Sequence, residues 1–321
     1  MSRLSRCALW IVLAAACLST AAPVVAQDFP SKPIRIVVAN SAGTIGDLAA
    51  RLLGVEMTKI LGQPIIVEAK PGANQLIGLD YVMNLPADGY TTILTYVSPL
   101  ASLPVTVKDL RFDPLKDLRP ITTVFAIRAY LTTPRKQPWS TFNEMATYAK
   151  ANPGKLNYGT NNLSIRLVFE SMLRELGLNV VHVPYTGAGP LIQAVATDQV
   201  QLVITNEANL LAFKDSIRAL AITGDSRPAK YPDLPTLKEL GLPQMRNADY
   251  TLNIRSGTPK PVVDRLYSAA LQALKSPALL EGYAKLSFEA VGDSPESAAK
   301  KLAEEAANYA DIAKKMGIRP E

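Results

Sequence analysis

Hydrophobic and polar positions alternate in blocks along the chain, and most blocks follow the order strand, loop, helix. The apolar run IRIVV (34–38), for example, precedes a polar loop and then a segment with helical spacing, GDLAARLLGVEMTKILG (46–62). Two regions show this order, around 34–97 and 155–223. Apolar strands that alternate with helices are typical of α/β architecture with largely parallel, buried strands. We therefore predict two α/β lobes.

The remaining segments connect these two regions and follow them. A Pro-rich, less periodic stretch, FDPLKDLRPITTVFAIRAYLTTPRKQPW, separates the regions, and the chain from Pro261 onward has an almost wholly helical pattern. We expect one crossing between the lobes within 121–130, the return within 245–255, and C-terminal helices that pack back on the first lobe. The predicted division is a first lobe of 27–125 plus 252–321 and a second lobe of 126–251.

The first 26 residues have the pattern of a secretory signal peptide. Arg3 and Arg6 precede an apolar run, and small residues end the segment at Ala26. We expect cleavage there and a periplasmic location. The alternatives are a membrane anchor, for which the apolar run is short, and a lipoprotein modified at Cys17, which lacks the large aliphatic residue usual at the start of a lipobox.

The composition excludes several classes of chemistry. Both cysteines lie in the first 26 residues, so the mature chain has no thiol, and its one histidine is His182. Metal sites built from several His or Cys ligands are therefore excluded, and G-x-S-x-G, Walker and Rossmann patterns are absent. The formal net charge of +6 is spread without a Lys/Arg run, which argues against nucleic-acid binding. We predict no enzyme activity, no cofactor and no metal, and a structural His182.

The loops that follow the strands carry the candidate site. They are rich in Gly, Ser, Thr and Asn and contain few charges. In α/β lobes, ligands bind at the carboxyl ends of the strands, so loops from two lobes would face each other and offer backbone N–H groups and hydroxyls. These loops read SAGTIGD, KPGANQL, SPLAS, GTNNLS, YTGAGP and TNEAN.

Nine segments in register show a family resemblance. They are FPSKPIRIVV, the loop ending in Gly46-Asp47 before LAARLL, LGQPIIVEAKPGANQLIGLD, PADGYTTIL, FDPLKDLRPIT, ANPGKLNYGT, HVPYTGAGPLIQAVATDQVQLVI, IRALAIT with RPAKYPDLPTLKELGLP, and SGTPKPVVDRL. Over residues 28–318 the chain resembles the extracytoplasmic solute receptors of tripartite tricarboxylate transporters, the Bug family.

This resemblance implies a type II periplasmic-binding-protein fold, with two α/β lobes, two crossovers and a central ligand cleft. It also implies a receptor that captures a dicarboxylate, tricarboxylate, aromatic acid or amino acid with backbone amides and polar side chains. The receptor would act as a monomer and deliver its ligand to a permease of two integral membrane subunits. An alternative is a receptor-derived sensor that signals to a membrane protein.

The departures from the family pattern fall mainly on the expected ligand loops. In the first loop Gly43 and Asp47 match, whereas the prolines are absent and Ile45 replaces a small residue. The loop after NYGT is shorter and is followed by Arg166, and Thr205 stands where the family often has Asp. We therefore expect a preserved fold with altered specificity.

Several candidates have two interpretations. Asp47 either contacts ligand or acts as a cap or first-turn acid of its helix. Arg166 is either exposed on a helix or a carboxylate clamp, in which case its replacement by alanine would weaken anion binding. Tyr185 either packs in the core or contacts ligand, and Trp139 is expected to pack. The complete set of expected ligand-binding residues is Asn40, Gly43, Thr44, Gly46, Asp47, Gly72, Asn74, Gln75, Ser98, Thr160, Asn161, Ser164, Arg166, Tyr185, Thr186, Gly187, Gly189 and Thr205.

Overall fold

The computed structural model describes residues 29–320 and contains most of the predicted strands and helices. The proposed signal peptide and its cleavage site lie outside the described residues. In chain order the strands are β1 (Ile34–Val38), β2 (Ile65–Ala69), β3 (Thr91–Tyr96), β4 (Leu118–Ile127), β5 (Tyr130–Pro134), β6 (Asn157–Thr160), β7 (Val181–Pro184), β8 (Leu202–Thr205), β9 (Ile217–Ile222), β10 (Ala248–Arg255) and β11 (Glu289–Ala290).

The helices follow the apolar periodicity of the sequence, and local signals end them. Gly62 and Gly317, both with left-handed backbone angles, stop the first and the last helix. In chain order the helices are α1 (Ile45–Leu61), α2 (Leu76–Met83), α3 (Val97–Thr106), α4 (Phe142–Ala151), α5 (Leu163–Glu175), α6 (Ala188–Ala196), α7 (Glu207–Ala212), α8 (Lys260–Ala273), α9 (Pro277–Lys285) and α10 (Pro295–Met316), with a 3₁₀ turn at Ala73–Gln75.

The strands form two sheets, one in each lobe, and both sheets are mixed. The first has the order β11-β4-β10-β3-β1-β2 and the second β7-β6-β8-β5-β9. The pairs around β1 and β6 are parallel, as predicted. The pairs made by β4, β5, β10 and β11 are antiparallel, so the prediction of largely parallel strands was wrong for three of the five pairs in the first sheet and two of the four in the second.

The error has a physical cause in the connecting segments. The Pro-rich stretch that we expected to be an irregular connection forms β4 and β5, which belong to different sheets and are separated only by Arg128 and Ala129. The return segment forms β10, which pairs with β4 over its whole length in the first sheet. The predicted lobe boundaries at 125 and 251 therefore fall inside strands, and the chain changes sheet just after β4 and just before β10.

One predicted loop is a helix. SPLAS, expected to be a loop after β3, forms the first turns of α3. Pro99 is tolerated there because the N–H groups of a first helical turn have no intrahelical acceptor. Because the segment is helical, Ser98 is buried, and it donates a hydrogen bond of 2.9 Å to Glu305 instead of facing a ligand.

The two lobes share the packing of the last helix. Leu302, Tyr309 and Ile312 of α10 belong to the same buried cluster as Leu167 and Val168 of α5 in the second lobe. Helix α8 instead packs on the first sheet. None of the helices within residues 29–320 is long and apolar enough to cross a bilayer.

A candidate ligand site between the lobes

A cavity of about 270 Å³ lies between the two sheets, where strands of both lobes reach the same space. Loops and helix starts after β1, β6 and β8 contribute to its wall, as the rule for parallel strands predicts. Its lining residues are Asn40, Ile45, Tyr96, Ile127, Arg128, Ala129, Asn161, Asn162, Ile165, Ala188, Leu191, Ile192, Val203, Ile204, Thr205, Asn206, Asn209, Ala248 and Tyr250.

The first loop is held in shape by Asp47. This buried carboxylate accepts a hydrogen bond from the Gly43 N–H (2.9 Å) and two from the Arg51 guanidinium (2.9 and 3.0 Å). Burial would raise the pKa of Asp47, but the hydrogen bonds from Arg51 and Gly43 outweigh burial and lower the pKa. Asp47 is thus a first-turn acid that folds its own loop, and Thr44, not Asp47, is the N-cap residue.

Gly46 allows two side chains to converge on the start of α1. A Cβ atom at this position would lie 3.3 Å from Asn40 Oδ1 and 3.3 Å from a ring carbon of Tyr250. Asn40 Oδ1 is buried and has no hydrogen-bond partner among the described residues. The first intrahelical bond is made by Leu48, so the N–H groups of residues 45–47 precede the helical ladder. Asn40 and Ile45, the first residue of α1, both line the cavity.

Two tyrosines form the adjoining wall. Tyr96 and Tyr250 stack on each other, and Tyr250 also stacks on Phe125 in the core of the first lobe. Burial raises the pKa of Tyr96 to about 12 despite an opposing contact with Ser98, and burial likewise raises the pKa of Tyr250. Both hydroxyls therefore stay protonated at physiological pH, and neither brings a negative charge to this wall.

The second lobe contributes polar amides and aliphatic side chains. Asn162 and Asn206 cap α5 and α7, because their side-chain oxygens accept from Ile165 N (2.8 Å) and Asn209 N (2.9 Å). The Asn209 amide donates to the Thr205 hydroxyl at 3.0 Å. The start of α6 has no side-chain cap. The remainder of this wall is aliphatic and comprises Ile165, Leu191, Ile192, Val203 and Ile204.

Among the residues that the structure describes, Arg128 is the one charged residue that lines this cavity, and its guanidinium forms hydrogen bonds at the hinge. It donates to Glu289 of β11 (2.8 Å) and to the Ser226 carbonyl beyond β9 (2.8 Å), so it connects the two lobes. Gly224 is required beside it, because a Cβ there would lie 2.7 Å from an Arg128 nitrogen and its φ is +118°. The other lining residues are uncharged and offer only dipoles and apolar surface to a ligand.

Only part of the expected set meets at the cavity. Asn40, Asn161 and Thr205 line it, and Gly46 lies against Asn40 and Tyr250, which are two of the lining residues. Tyr185 packs beside Gly159, and Gly187 is the N-cap of α6. The residues that are exposed and outside the lining are Gly43, Thr44, Gly72, Asn74, Thr186 and Gly189.

Five other expected ligand residues are engaged within the protein. Gln75 exchanges two hydrogen bonds with the backbone of Tyr96 (3.0 and 3.1 Å). The Thr160 hydroxyl lies 2.8 Å from His182 Nε2, whose pKa is lowered by burial. The Ser164 hydroxyl bonds to that of Ser102, and Ser98 bonds to Glu305. Arg166 donates to Glu170 (2.7 Å) and does not line the cavity, which favours the interpretation of an exposed helix residue over that of a clamp.

Sequence reasoning missed the tyrosine wall. Tyr96 ends β3 at the carboxyl edge of the sheet, where it could have been selected by the same rule as the loops. Tyr250 could not, because the segment around it was interpreted as a connection. Trp139 is buried and donates to Thr133, which confirms its expected packing role.

Comparisons with known proteins agree with this architecture. The sequence model described as Tripartite tricarboxylate transporter family receptor (TctC) matches residues 49–318. The chain belongs to this receptor family. The TctC-family chain is 34% identical to the UPF0065 protein in the gbd 5' region of Cupriavidus necator over 296 residues, which is 91% of this chain and 90% of that protein.

Solved structures of similar proteins share the fold of this TctC-family receptor. The periplasmic binding protein BugD is 27% identical, with a TM-score of 0.75, and the match covers 91% of this chain and 100% of BugD. Rpa4515 of R. palustris with adipate is 27% identical, with a TM-score of 0.78, over 92% of this chain and 100% of that one. The type II periplasmic-binding-protein fold inferred from the resemblance is thus confirmed.

Proposed function

We propose that this receptor binds a small organic carboxylate in the cavity between its lobes, in the periplasm, and delivers it to a permease of two integral membrane subunits. The observation that supports this proposal is the start of α1 beside the cavity, where the first N–H groups have no helical acceptor. The side chain of Asn40 and the ring of Tyr250, which both line the cavity, meet this helix start at Gly46.

These donors suit an anion that must be released again. Helix N-termini carry partial positive charge and free N–H groups, and both favour carboxylates. A hydrogen bond to a charged group contributes about 1.5–3 kcal/mol, so a few donors are enough for tight but reversible binding. Fixed dipoles also avoid the large cost of separating a buried ion pair on release.

The other side of the cavity favours an organic body. Ile165, Leu191 and Ile192 line the cavity from the second lobe. Burial of apolar ligand surface against these side chains would contribute roughly 25 cal/mol per Å² to the free energy of binding. A ligand that contacts both walls binds the closed arrangement of the lobes better than an open one. Such differential binding is what would let a membrane partner distinguish the loaded receptor.

Thermal unfolding over a ligand panel tests the binding proposal. The panel comprises adipate, malate, citrate, benzoate and glutamate, with the uncharged amide of the best ligand as control. A ligand that binds only the native state at about 100 times its Kd adds about 2.7 kcal/mol of stability. We expect at least one carboxylate to raise Tm and its amide to have no effect. No shift with any member, or equal shifts with acid and amide, would contradict the proposal.

Uptake measurements test the delivery step. Cells that lack the chromosomal copy of this chain should lose uptake of the identified carboxylate and regain it from a plasmid copy. If binding is intact in vitro but uptake does not depend on the chain, delivery to a permease is disproved and the receptor serves another membrane partner.

A further inference from the structure

A larger cavity, about 880 Å³, lies wholly on the second lobe, away from the cavity between the lobes. Four consecutive residues of β9, Ile217–Leu220, line it. Side chains of a strand point alternately to opposite faces, so a cavity that touches four in a row runs along the backbone edge of the strand. We call this space the β9 groove.

The β9 groove follows an open sheet edge. Strand β9 is the last strand of its sheet and pairs only with β5 within it. The Arg135 N–H donates to the Ser216 carbonyl, and the register places Thr132 opposite Ala219. Hydrogen-bonded and non-hydrogen-bonded pairs alternate in antiparallel sheets. Counted from the Arg135–Ser216 pair, Thr132–Ala219 is a non-hydrogen-bonded pair, so the N–H and C=O of Ala219 are expected to point away from β5. The register shifts at the next residue, Leu220, which has no partner in β5.

One end of the groove is already paired by the chain itself. Ile222 donates to the Pro235 carbonyl (3.0 Å) and accepts from the Leu237 N–H (2.8 Å), which makes a parallel bridge with Thr236. The segment 231–234 then lies apart from β9 and forms the opposite wall of the groove. An added strand beside Ala219 would continue the pairing that this bridge begins.

The charges along the groove indicate the chemistry of such a strand. Within residues 29–320, Arg135, Lys214 and Arg218 form no salt bridge with a carboxylate. Arg218 donates to the Ser140 hydroxyl and the Arg135 carbonyl, while its buried Nε has no hydrogen-bond partner. Apolar Phe142 and Leu211, the latter 45% exposed, also line the groove. Its other charged residues are Arg227, Lys230, Asp233 and Glu239, so the cations are in excess, and Glu239 is paired with Arg227. A second copy that paired through its own β9 groove would bring like charges together, so an acidic partner is favoured.

We propose that the β9 groove binds an extended acidic segment of a partner protein, which adds to the second sheet as a strand beside β9. Backbone hydrogen bonds to Ala219 would supply affinity, as in other cases of strand addition. The cations at Arg135, Lys214 and Arg218 would select acidic side chains and accelerate association. This surface is separate from the carboxylate site, so the proposal stands whether or not the cavity between the lobes binds a carboxylate.

A labelled peptide tests the proposal on the full chain. The probe is a blocked hexapeptide of alternating valine and glutamate, with a valine–lysine hexapeptide as control, measured by fluorescence anisotropy. We expect the acidic peptide alone to bind, more weakly as salt screens the charges. Hydrogen exchange at Ala219 should slow when the peptide is bound.

Three variants separate strand addition from simple charge attraction. Lys214→Glu should weaken peptide binding by about tenfold. Ala219→Pro removes the outward N–H and leaves the pairing with β5, as edge strands tolerate, and it should abolish binding. Lys155→Glu changes an exposed cation of the same lobe outside the groove and should have no effect.

Two results would overturn the proposal. If Ala219→Pro binds the peptide as well as the parent while Lys214→Glu does not, the groove is an electrostatic patch without strand addition, and inorganic phosphate should then compete with the peptide. If neither peptide binds the parent chain, the cations only deter pairing at the edge. Unchanged thermal unfolding of each variant serves as the check on folding.

Discussion

Tyr250 lies directly opposite Tyr96 in the antiparallel pairing of β10 with β3, and their rings stack with centroids 5.3 Å apart and planes inclined by 13°. Phe125 stacks on Tyr250 at 4.5 Å and Phe288 on Phe125 at 4.6 Å. The column runs from the cavity wall into the core of the first lobe. It fixes both phenol rings before a ligand arrives, so little side-chain entropy is lost on binding.

Replacement of Tyr250 by phenylalanine tests the role of this hydroxyl. The ring and its stacking remain, but one donor to the anion is lost, and we expect affinity for the carboxylate identified by thermal unfolding to fall about tenfold. Calorimetric titration provides the measurement. Tyr148→Phe, on α4 away from the cavity, is the matched control. Equal affinities for parent and Tyr250→Phe would show that this hydroxyl does not contact the ligand.

Replacement of Gly46 by alanine tests whether the close approach of Asn40 and Tyr250 to this position matters for ligand binding. Alanine at this position requires both neighbours to move by a few tenths of an ångström, whereas its helix propensity is about 1 kcal/mol better than that of glycine. We expect Gly46→Ala to weaken ligand binding while the free energy of unfolding changes little. Calorimetry and urea unfolding on one preparation separate the two quantities. A large loss of stability with unchanged affinity would mean that Gly46 serves packing alone.

Asp47 makes a pH-dependent contribution to stability. Its pKa is lowered in the folded state, so the stabilisation is complete above the unfolded value of about 3.9 and is lost as pH falls through the folded pKa. We expect Asp47→Asn to cost about 1–3 kcal/mol at pH 7, because the Arg51 and Gly43 bonds weaken. The difference from the parent in urea unfolding should shrink toward pH 2.5. A difference independent of pH would contradict the assignment.

Asp249 should change stability with pH in the direction opposite to Asp47. It lines a crevice of about 500 Å³ beside the hinge, and burial raises its pKa to about 6. The folded state therefore holds a proton that the unfolded state has released, and stability falls as pH rises from about 4 through 6. We expect Asp249→Asn to stabilise the protein by about 1–3 kcal/mol at pH 8 and by little at pH 4.

The control for this change is Asp233→Asn, which replaces an exposed aspartate of the second lobe. Thermal unfolding of both variants across pH 4–8 provides the comparison. A stabilisation by Asp249→Asn that is the same at both ends of the range would disprove the pH linkage.

Replacement of Arg166 by alanine distinguishes its two interpretations, an exposed helix residue and a carboxylate clamp. Its guanidinium is paired with Glu170, which also accepts from the Tyr158 hydroxyl at 2.9 Å. We expect Arg166→Ala to leave carboxylate affinity within about twofold, since a surface pair contributes about 0–1 kcal/mol. A tenfold loss of carboxylate affinity, measured by calorimetry, would instead indicate that Arg166 contacts the ligand.

The candidate site was only partly predictable, and particular residues show why. Asn40, Asn161 and Thr205 were found because they follow strands at the carboxyl edge, a position that sequence order alone identifies. Gln75, Ser98 and Arg166 share that loop chemistry, but nearby groups use their hydrogen bonds. No local pattern shows that Gln75 would meet Tyr96, 21 residues away.

The amino-acid sequence determined the α/β order of the elements, the helix stops at Gly62 and Gly317, the confinement of both cysteines to the first 26 residues, and the receptor family. These properties depend on periodicity, backbone preference and composition, which are local. Only the tertiary structure decided that the crossing segments are strands, that Tyr96 faces Tyr250 and that α10 joins both lobes. Those outcomes depend on pairing between residues far apart in sequence, as for Tyr96 and Tyr250, and the free energy of such contacts arises only when distant surfaces are buried together.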